Sequence, residues 1–118
     1  MMSAEETFDV PSELELIEWF GCVPVRHDFQ YQYHISDRSN VTLLFSFDVV
    51  ERSIQTIVTV ADAPVVKVVH ESARRLWFQE FGKTKLLRAE CFPGGHHTQL
   101  TIEIEPRIQV EWSTLRET

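Results

Sequence analysis

Residues 27–36 have the sequence HDFQYQYHIS, and residues 41–49 have the sequence VTLLFSFDV. In the first segment, large side chains alternate with polar ones. In the second segment, every other position is valine, leucine or phenylalanine. A period of two is typical of β-strands that bury one face and leave the other wet. The sequence DRSN at 37–40 is a turn cluster. The two segments therefore predict a β-hairpin.

Further strands are predicted toward the C-terminus, where short apolar runs are separated by turn sequences. The predicted segments are residues 54–60, 65–69, 76–81, 86–92, 100–104 and 108–112. The PGG sequence at 93–95 is a strong turn signal between two of them. Seven to eight strands at this spacing favour a curled, mostly antiparallel sheet that is either barrel-like or a sandwich.

One helix is predicted ahead of the strands, over residues 11–20. Pro11 suits a first helical turn, and Ser12 with Glu15 forms an S-x-x-E capping box. Gly21 is a natural end for the helix. Because a short amphipathic helix must bury its apolar side, we predict that it packs on the sheet.

The predicted fold class is therefore α+β, with one N-terminal helix on a curled sheet. Leu14, Leu16 and Ile17 are expected to lie near one face of the helix and to turn it toward the sheet. The 118 residues are expected to form a single domain, residues 1–118, whose first ten residues are flexible.

The two cysteines, Cys22 and Cys91, are far apart and lack a CxxC spacing. Reduced core thiols are the simpler interpretation, which favours a reducing compartment. Residues 1–10 are acidic and lack the apolar run of a signal peptide, and no apolar stretch is long enough to cross a bilayer. We therefore expect a cytoplasmic protein.

The formal net charge is −7, from 18 acidic and 11 basic residues. Such a surface repels nucleic acid and anionic membranes, so we expect neither as a partner. Residues 1–20 hold acids and no base, whereas residues 74–88 hold five bases and one acid. Solvated faces, or faces that meet within the fold, are the simpler interpretation of both segments.

Acidic side chains on the helix and on the last strands are candidate partner-binding residues. They are Glu13, Glu15, Glu18, Glu103, Glu105 and Glu111. A period of two places Glu103 and Glu105 on one face. A negative patch flanked by exposed rings would capture a basic partner quickly, although a merely solvated strand face is the alternative.

The chain has five histidines, which are common metal ligands and acid–base groups. His96 and His97 are adjacent, so they point to opposite faces of an extended chain and rarely bind one ion together; a wet turn is favoured. His27 beside Asp28 could act as an acid and base. A structural role is favoured, in which Asp28 caps loop amides and His27 holds the start of the first strand.

No sequence motif for nucleophilic, phosphate-binding or metalloprotease chemistry is present. Cys22 is near His27 in sequence, so a Cys–His dyad is conceivable, but its apolar neighbours favour an inert thiol. We therefore expect no catalytic residue, no metal, no cofactor and no enzymatic activity.

Residues 19–28 have the sequence WFGCVPVRHD, in which an aromatic–Gly pair, a proline and His-Asp lead into an alternating strand. This segment resembles the immunity protein 50 family of bacterial polymorphic-toxin systems. Residues 76–81 and the strand at 86–92 are similar to a second stretch of that family. The resemblance implies a small cytosolic, non-catalytic protein that neutralises a cognate toxin by tight, stoichiometric occlusion. The acidic charge suits a toxin with a basic surface, such as a nuclease.

Two other functions stay open at this point. A curled sheet can hold a small ligand, so the chain could be a carrier or a small enzyme with a pocket lined by Tyr31, Tyr33, Phe45 and Phe47, although a filled core is the simpler use of these rings. Alternatively, the chain could be a subunit or adaptor that dimerises through an exposed strand edge.

Overall fold

The computed structural model describes residues 7–116, in which helix α1 spans Glu13–Phe20. The predicted capping box is confirmed: the Glu15 N–H donates to Ser12 Oγ at 3.2 Å, and the Ser12 N–H donates to Glu15 Oε1 at 3.1 Å. Gly21 ends the helix with a φ of 75°, and its N–H donates to the Ile17 carbonyl at 2.8 Å. Glycine adopts this left-handed conformation without steric cost.

Nine strands lie within residues 7–116. They are β1 (Val25–His27), β2 (Gln30–Ser36), β3 (Val41–Asp48), β4 (Ser53–Val60), β5 (Ala63–His70), β6 (Ala73–Phe81), β7 (Thr84–Cys91), β8 (His96–Glu103) and β9 (Gln109–Arg116). A short 3-10 turn, Pro93–Gly95, joins β7 to β8.

The strands form two antiparallel sheets. The first has the order β1-β2-β3-β4-β5, and the second has the order β6-β7-β8-β9. Within each sheet, every strand pairs with its neighbours in sequence, so each sheet is a meander. The predicted fold class, one helix with a mostly antiparallel sheet structure, is confirmed. Of the two predicted forms, the structure has an open pair of sheets rather than a closed barrel.

The first predicted strand is divided in two by a tight turn. β1 and β2 are joined by Asp28 and Phe29, with His27 opposite Gln30, and Asp28 has a φ of 55°. The turn puts His27 on the face of Gln30 rather than that of Tyr31. The sequence period does not reveal this change, because Phe29 continues the alternation of large side chains through the turn. The histidines expected in a wet turn, His96 and His97, instead begin β8.

Aromatic rings from α1 and the first sheet fill the space between the helix and the sheets. The Phe20 ring stacks on Tyr33 with 4.4 Å between ring centroids and on Phe45 with 5.5 Å. The second sheet adds fully buried aliphatic side chains such as Leu100 and Ile102. The rings considered for a ligand cavity all lie in this core or pack against it: Tyr31, Tyr33, Phe45 and Phe47.

Three hydrogen bonds hold the layers in register. Trp112 Nε1 on β9 donates to Thr56 Oγ1 on β4 at 3.1 Å. The Ile108 N–H donates to Asp37 Oδ2 at 2.9 Å and ties the chain before β9 to the turn after β2. Trp19 Nε1 of α1 donates to the Lys85 carbonyl of β7 at 2.9 Å. The helix is thereby fixed against the second sheet.

The N-terminal segment also contacts the second sheet. Residues 1–6, part of the stretch expected to be flexible, lie outside the described residues. Phe8 is buried and meets Phe47 edge to face, with 5.9 Å between ring centroids. The Asp9 N–H donates to the Arg74 carbonyl at 3.0 Å, and the Asp9 carbonyl accepts the Leu76 N–H at 2.8 Å. Asp9 thus covers part of the β6 edge.

Candidate functional site

A groove of about 600 Å³, called the α1 groove below, lies where three elements meet. One wall is α1, the second is the hairpin between β6 and β7, and the third is the loop that leaves β8. The groove is lined by Glu15, Glu18, Trp19, Lys83, Thr84, Lys85, Ile104, Glu105 and Pro106. Its position on the surface makes it a candidate binding site.

A second groove of about 530 Å³ adjoins the α1 groove on the other side of the loop at residues 104–106, which lines both. Asp37 lines the second groove and holds this loop through the Ile108 N–H. That hydrogen bond, followed by those from the backbone of Ser39 and Val41, keeps the pKa of the Asp37 carboxyl below its usual value. A charged Asp37 therefore supports the wall between the two grooves.

The structure divides the six predicted acidic residues among three places. Glu15, Glu18 and Glu105 line the α1 groove. Glu103 and Glu111 line a separate groove of about 380 Å³ formed by β7, β8 and β9. Glu13 lines neither of these grooves. Glu103 and Glu105 separate because β8 ends at Glu103, so the period of two does not extend to Glu105. Partner binding by the six residues stays a prediction.

The three carboxylates of the α1 groove differ in their freedom to bind a partner. Glu15 is engaged in the helix cap, and the hydrogen bond from the Ser12 backbone lowers the pKa of its carboxyl. Glu18 and Glu105 are exposed, and their side chains make no hydrogen bond or salt bridge within the part of the chain that the structure describes. These two carboxylates are thus open to a cation from outside.

Most cations of the basic segment at 74–88 lie over aromatic rings. The distances from the charged group to the ring centroid are 5.1 Å for Arg74 over Phe92, 4.5 Å for Arg75 over Trp77, 5.0 Å for Lys85 over Phe78 and 5.7 Å for Arg88 over Trp77. Each such contact is worth about 0.5–1 kcal/mol at an exposed site. Most of the basic side chains of this segment therefore pack against aromatic rings along the second sheet.

Two exposed apolar side chains near the α1 groove were not predicted as site residues. Phe81 is 73% exposed at the end of β6, and Leu14 is 65% exposed on α1. Leu14 had been expected to face the sheet, but Leu16 and Phe20, one turn apart, form the buried side of the helix. The sequence does contain a signal that Leu14 is exposed. It lies between Glu13 and Glu15, and both carboxylates require contact with water.

His27 and Asp28 are both exposed, and within residues 7–116 neither side chain makes a hydrogen bond. Asp28 instead occupies the positive-φ position of the turn between β1 and β2. Asp and Asn tolerate this conformation better than most residues. The structural role of these two residues stays a prediction. For Asp28, that role depends on its backbone conformation in the turn and not on a side-chain hydrogen bond.

Candidate catalytic and metal-binding groups are not brought together. Among the described residues, no three side chains of His, Cys, Asp or Glu could hold a metal ion. His97 Nε2 lies 3.2 Å from Glu90 Oε2, and its ring stacks on Phe92. Cys22 Sγ contacts the His34 carbonyl at 3.7 Å. Cys91 is buried, and burial raises the pKa of its thiol to about 12.

No helix in residues 7–116 has the length and hydropathy needed to span a bilayer.

Comparisons with known proteins place the fold. No protein-family model matches the chain, and no curated protein matches it. Among solved structures, the chain is similar to a chain of a contact-dependent growth inhibition toxin–immunity protein complex from Klebsiella pneumoniae 342, with a TM-score of 0.84 and 23% sequence identity. The alignment covers 91% of this chain and 96% of that chain. At this level of identity the similarity shows a shared fold.

Proposed function

We propose that this chain is an immunity protein that binds a cognate bacterial toxin and neutralises it by occluding its active surface in a tight, stoichiometric complex. The observation that carries the proposal is the shared fold with a chain of a toxin–immunity protein complex, at a TM-score of 0.84 over nearly the whole length of both chains. The resemblance of residues 19–28 to an immunity-protein family supports the same function.

Such a complex contains a toxin and an inhibitor, and the side chains of this protein favour the inhibitor. Shifted pKa values often mark catalytic groups. Here they have structural causes: Glu15 caps α1, Asp37 holds a loop, and burial shifts the pKa values of Tyr33, His70 and Cys91. Because no activated nucleophile accompanies them within residues 7–116, we propose a non-enzymatic role.

The charge of the chain supports a basic toxin as the partner. The net charge is −7, and Glu18 and Glu105 face the α1 groove. An acidic inhibitor associates rapidly with a basic surface, such as a nuclease cleft, because the two fields attract. We propose that Glu13, Glu15, Glu18, Glu103, Glu105 and Glu111 contribute to this attraction and that neutralisation takes place in the cytoplasm.

A growth assay tests the proposal directly. The candidate toxin to be tested is a domain of the protein encoded by any large open reading frame that lies immediately upstream of the gene for this chain. We expect that domain to arrest growth of a bacterial host, this chain to restore growth when co-expressed, and this chain alone to leave growth unchanged. Growth arrest by this chain alone would place it on the toxin side of the complex, and failure to protect would contradict the proposal.

Purified components test the mode of action. We expect a 1:1 complex whose association rate falls as salt is raised from 0.05 to about 0.5 M, because exposed charges are screened over a shorter distance. A rate that is independent of salt would contradict electrostatic attraction and would leave the protection assay to decide the function.

A further inference from the structure

Part of β7 has a neighbouring strand on one side only. β6 and β7 remain paired out to Phe81 and Thr84, whereas pairing between β7 and β8 stops at Leu87 and Ile102. Thr84 and Lys85 therefore have β6 on one side and no strand on the other. Thr84 and Lys85 from this open edge line the α1 groove.

The backbone of Lys85 shows which groups face this open side. The Lys85 carbonyl accepts the hydrogen bond from Trp19 Nε1 at 2.9 Å, so it points away from β6. In an antiparallel strand the N–H and C=O of one residue point to the same side. The Lys85 N–H is therefore directed toward the space beside β7 that lies beyond the end of β8.

The chain that leaves β8 forms the opposite side of that space. Ile104, Glu105 and Pro106 turn away from β7 and line the α1 groove. The hydrogen bond that the Ile108 N–H donates to Asp37 Oδ2 holds this loop against the first sheet. The groove is thus bounded by an open strand edge on one side and an anchored loop on the other.

The side chains around the edge favour a positively charged occupant. Three carboxylates, Glu15, Glu18 and Glu105, line the groove with two ammonium groups, Lys83 and Lys85, so acids are in slight excess, and neither Glu18 nor Glu105 is paired within residues 7–116. The Lys85 ammonium lies 5.0 Å from the Phe78 ring centroid, so part of its charge interacts with that ring. A lysine or arginine from a partner would find two carboxylates beside the open backbone.

We propose that the α1 groove binds an extended segment of the partner, with a backbone carbonyl of that segment accepting the Lys85 N–H and a basic side chain lying between Glu18 and Glu105. The addition of a strand to an open sheet edge is a common mode of peptide recognition. The inference rests on the proposed function and specifies how the partner docks. A second copy of this chain is a poor occupant, since each copy has a net charge of −7.

Amide exchange tests the backbone contact. The exchange rate of the Lys85 N–H is measured by NMR for the free protein and for its complex with the toxin domain. We expect exchange to slow by at least about tenfold in the complex, because the N–H becomes hydrogen-bonded. The amides of β5, another sheet edge, serve as the internal control and should keep their rates. An unchanged Lys85 rate in a saturated complex would overturn the backbone contact.

Charge reversal tests the side-chain contacts. Glu18→Lys and Glu105→Lys should each weaken toxin binding by about a hundredfold. Glu51→Lys makes the same change of charge in the turn between β3 and β4 and should weaken binding by less than about threefold, because long-range attraction alone is affected. Melting temperatures verify that all three variants are folded.

The outcomes separate the two proposals. Absence of binding by the wild-type chain contradicts the proposed function itself. Binding that Glu105→Lys and Glu51→Lys reduce equally leaves the function in place and overturns the assignment of the groove. A dimer of the wild-type chain that Glu105→Lys dissociates would also overturn it, because the occupant would then be a second copy.

Discussion

The indole N–H of Trp112 on β9 donates a hydrogen bond to the hydroxyl of Thr56 on β4, with 3.1 Å between Nε1 and Oγ1. The bond joins the two sheets through a threonine that is buried in the core. On the same side of the molecule, the His70 ring at the end of β5 lies 4.5 Å from the Trp112 ring centroid. Trp112 therefore connects two strands of the first sheet to the second sheet.

Thr56→Val should lower the free energy of unfolding by about 1–3 kcal/mol, because valine has the shape of threonine but leaves the indole N–H without an acceptor. Chemical denaturation followed by tryptophan fluorescence measures the change. Thr59→Val, on the same strand, is the matched control and should change stability by less than about 0.5 kcal/mol. Equal losses in the two variants would show that the sheet, not the hydrogen bond, is affected.

Tyr33→Phe should raise the free energy of unfolding by about 1 kcal/mol. Tyr33 is fully buried, and among the described residues its hydroxyl has no hydrogen-bond partner. Burial also raises the pKa of this phenol to about 12. Removal of the hydroxyl avoids the cost of desolvating it while keeping the ring that stacks on Phe20. A lower melting temperature for the variant would reveal that the hydroxyl is satisfied by an internal water molecule.

Asp28→Ala should destabilise the protein by about 1 kcal/mol, whereas Asp28→Gly should be as stable as the wild type or more stable. The reason is the φ of 55° at Asp28, a conformation that glycine adopts freely and alanine does not. Thermal unfolding compares the two variants, with His27→Ala as the control for an exposed neighbour. If the Asp28→Gly and Asp28→Ala variants were destabilised equally, the loss of a contact made by the Asp28 carboxylate would be the cause.

Asp37→Asn should be less stable than the wild type at neutral pH, and the difference should shrink in acid. The folded state holds the pKa of Asp37 below the usual value of 3.8, first through the Ile108 N–H. A lowered pKa in the folded state stabilises the protein fully above pH 3.8, and this stabilisation is lost as the pH falls through the folded pKa. Melting temperatures from pH 7 to pH 2.5 measure the effect, with Asp62→Asn as control. A difference in melting temperature between the wild type and Asp37→Asn that does not change with pH would contradict this prediction.

His70 should make the protein less stable as the pH falls below neutrality. Burial lowers the pKa of His70 from its usual 6.5, since the charged ring loses water beside Trp112. The neutral ring is thus favoured in the folded state, so stability is complete above pH 6.5 and declines as the pH falls through the folded pKa. Unfolding between pH 7.5 and pH 5 should show a smaller decline for His70→Gln than for the wild type. If stability fell equally with pH in the wild type and in His70→Gln, the predicted role of His70 would be refuted.

Local signals predicted the local structure correctly. The capping box of Ser12 and Glu15 and the stop at Gly21 depend on residues only a few positions apart, and all three act as expected. The alternation in Tyr31, Tyr33 and Ile35 likewise predicted a strand with one buried face. These features were accessible because the interacting groups are near neighbours in the chain.

The site could not be predicted in the same way because its parts are distant in sequence. Nothing near Glu18 indicates that Glu105 will face the same groove. The end of β8 at Glu103 was also hidden, since Ile104 continues the apolar alternation. That strand end separates Glu103 from Glu105 and opens the edge of β7, so the composition of the groove depends on tertiary structure.

The meander order of both sheets has a consequence for biosynthesis. Residues 7–70 contain α1 and the whole first sheet, and they leave the ribosome before any strand of the second sheet. Until β6–β9 emerge, the buried face around Phe45 has only α1 and the segment around Phe8 to cover it. The nascent chain therefore exposes apolar surface until the remaining strands arrive, and such surface is prone to aggregate.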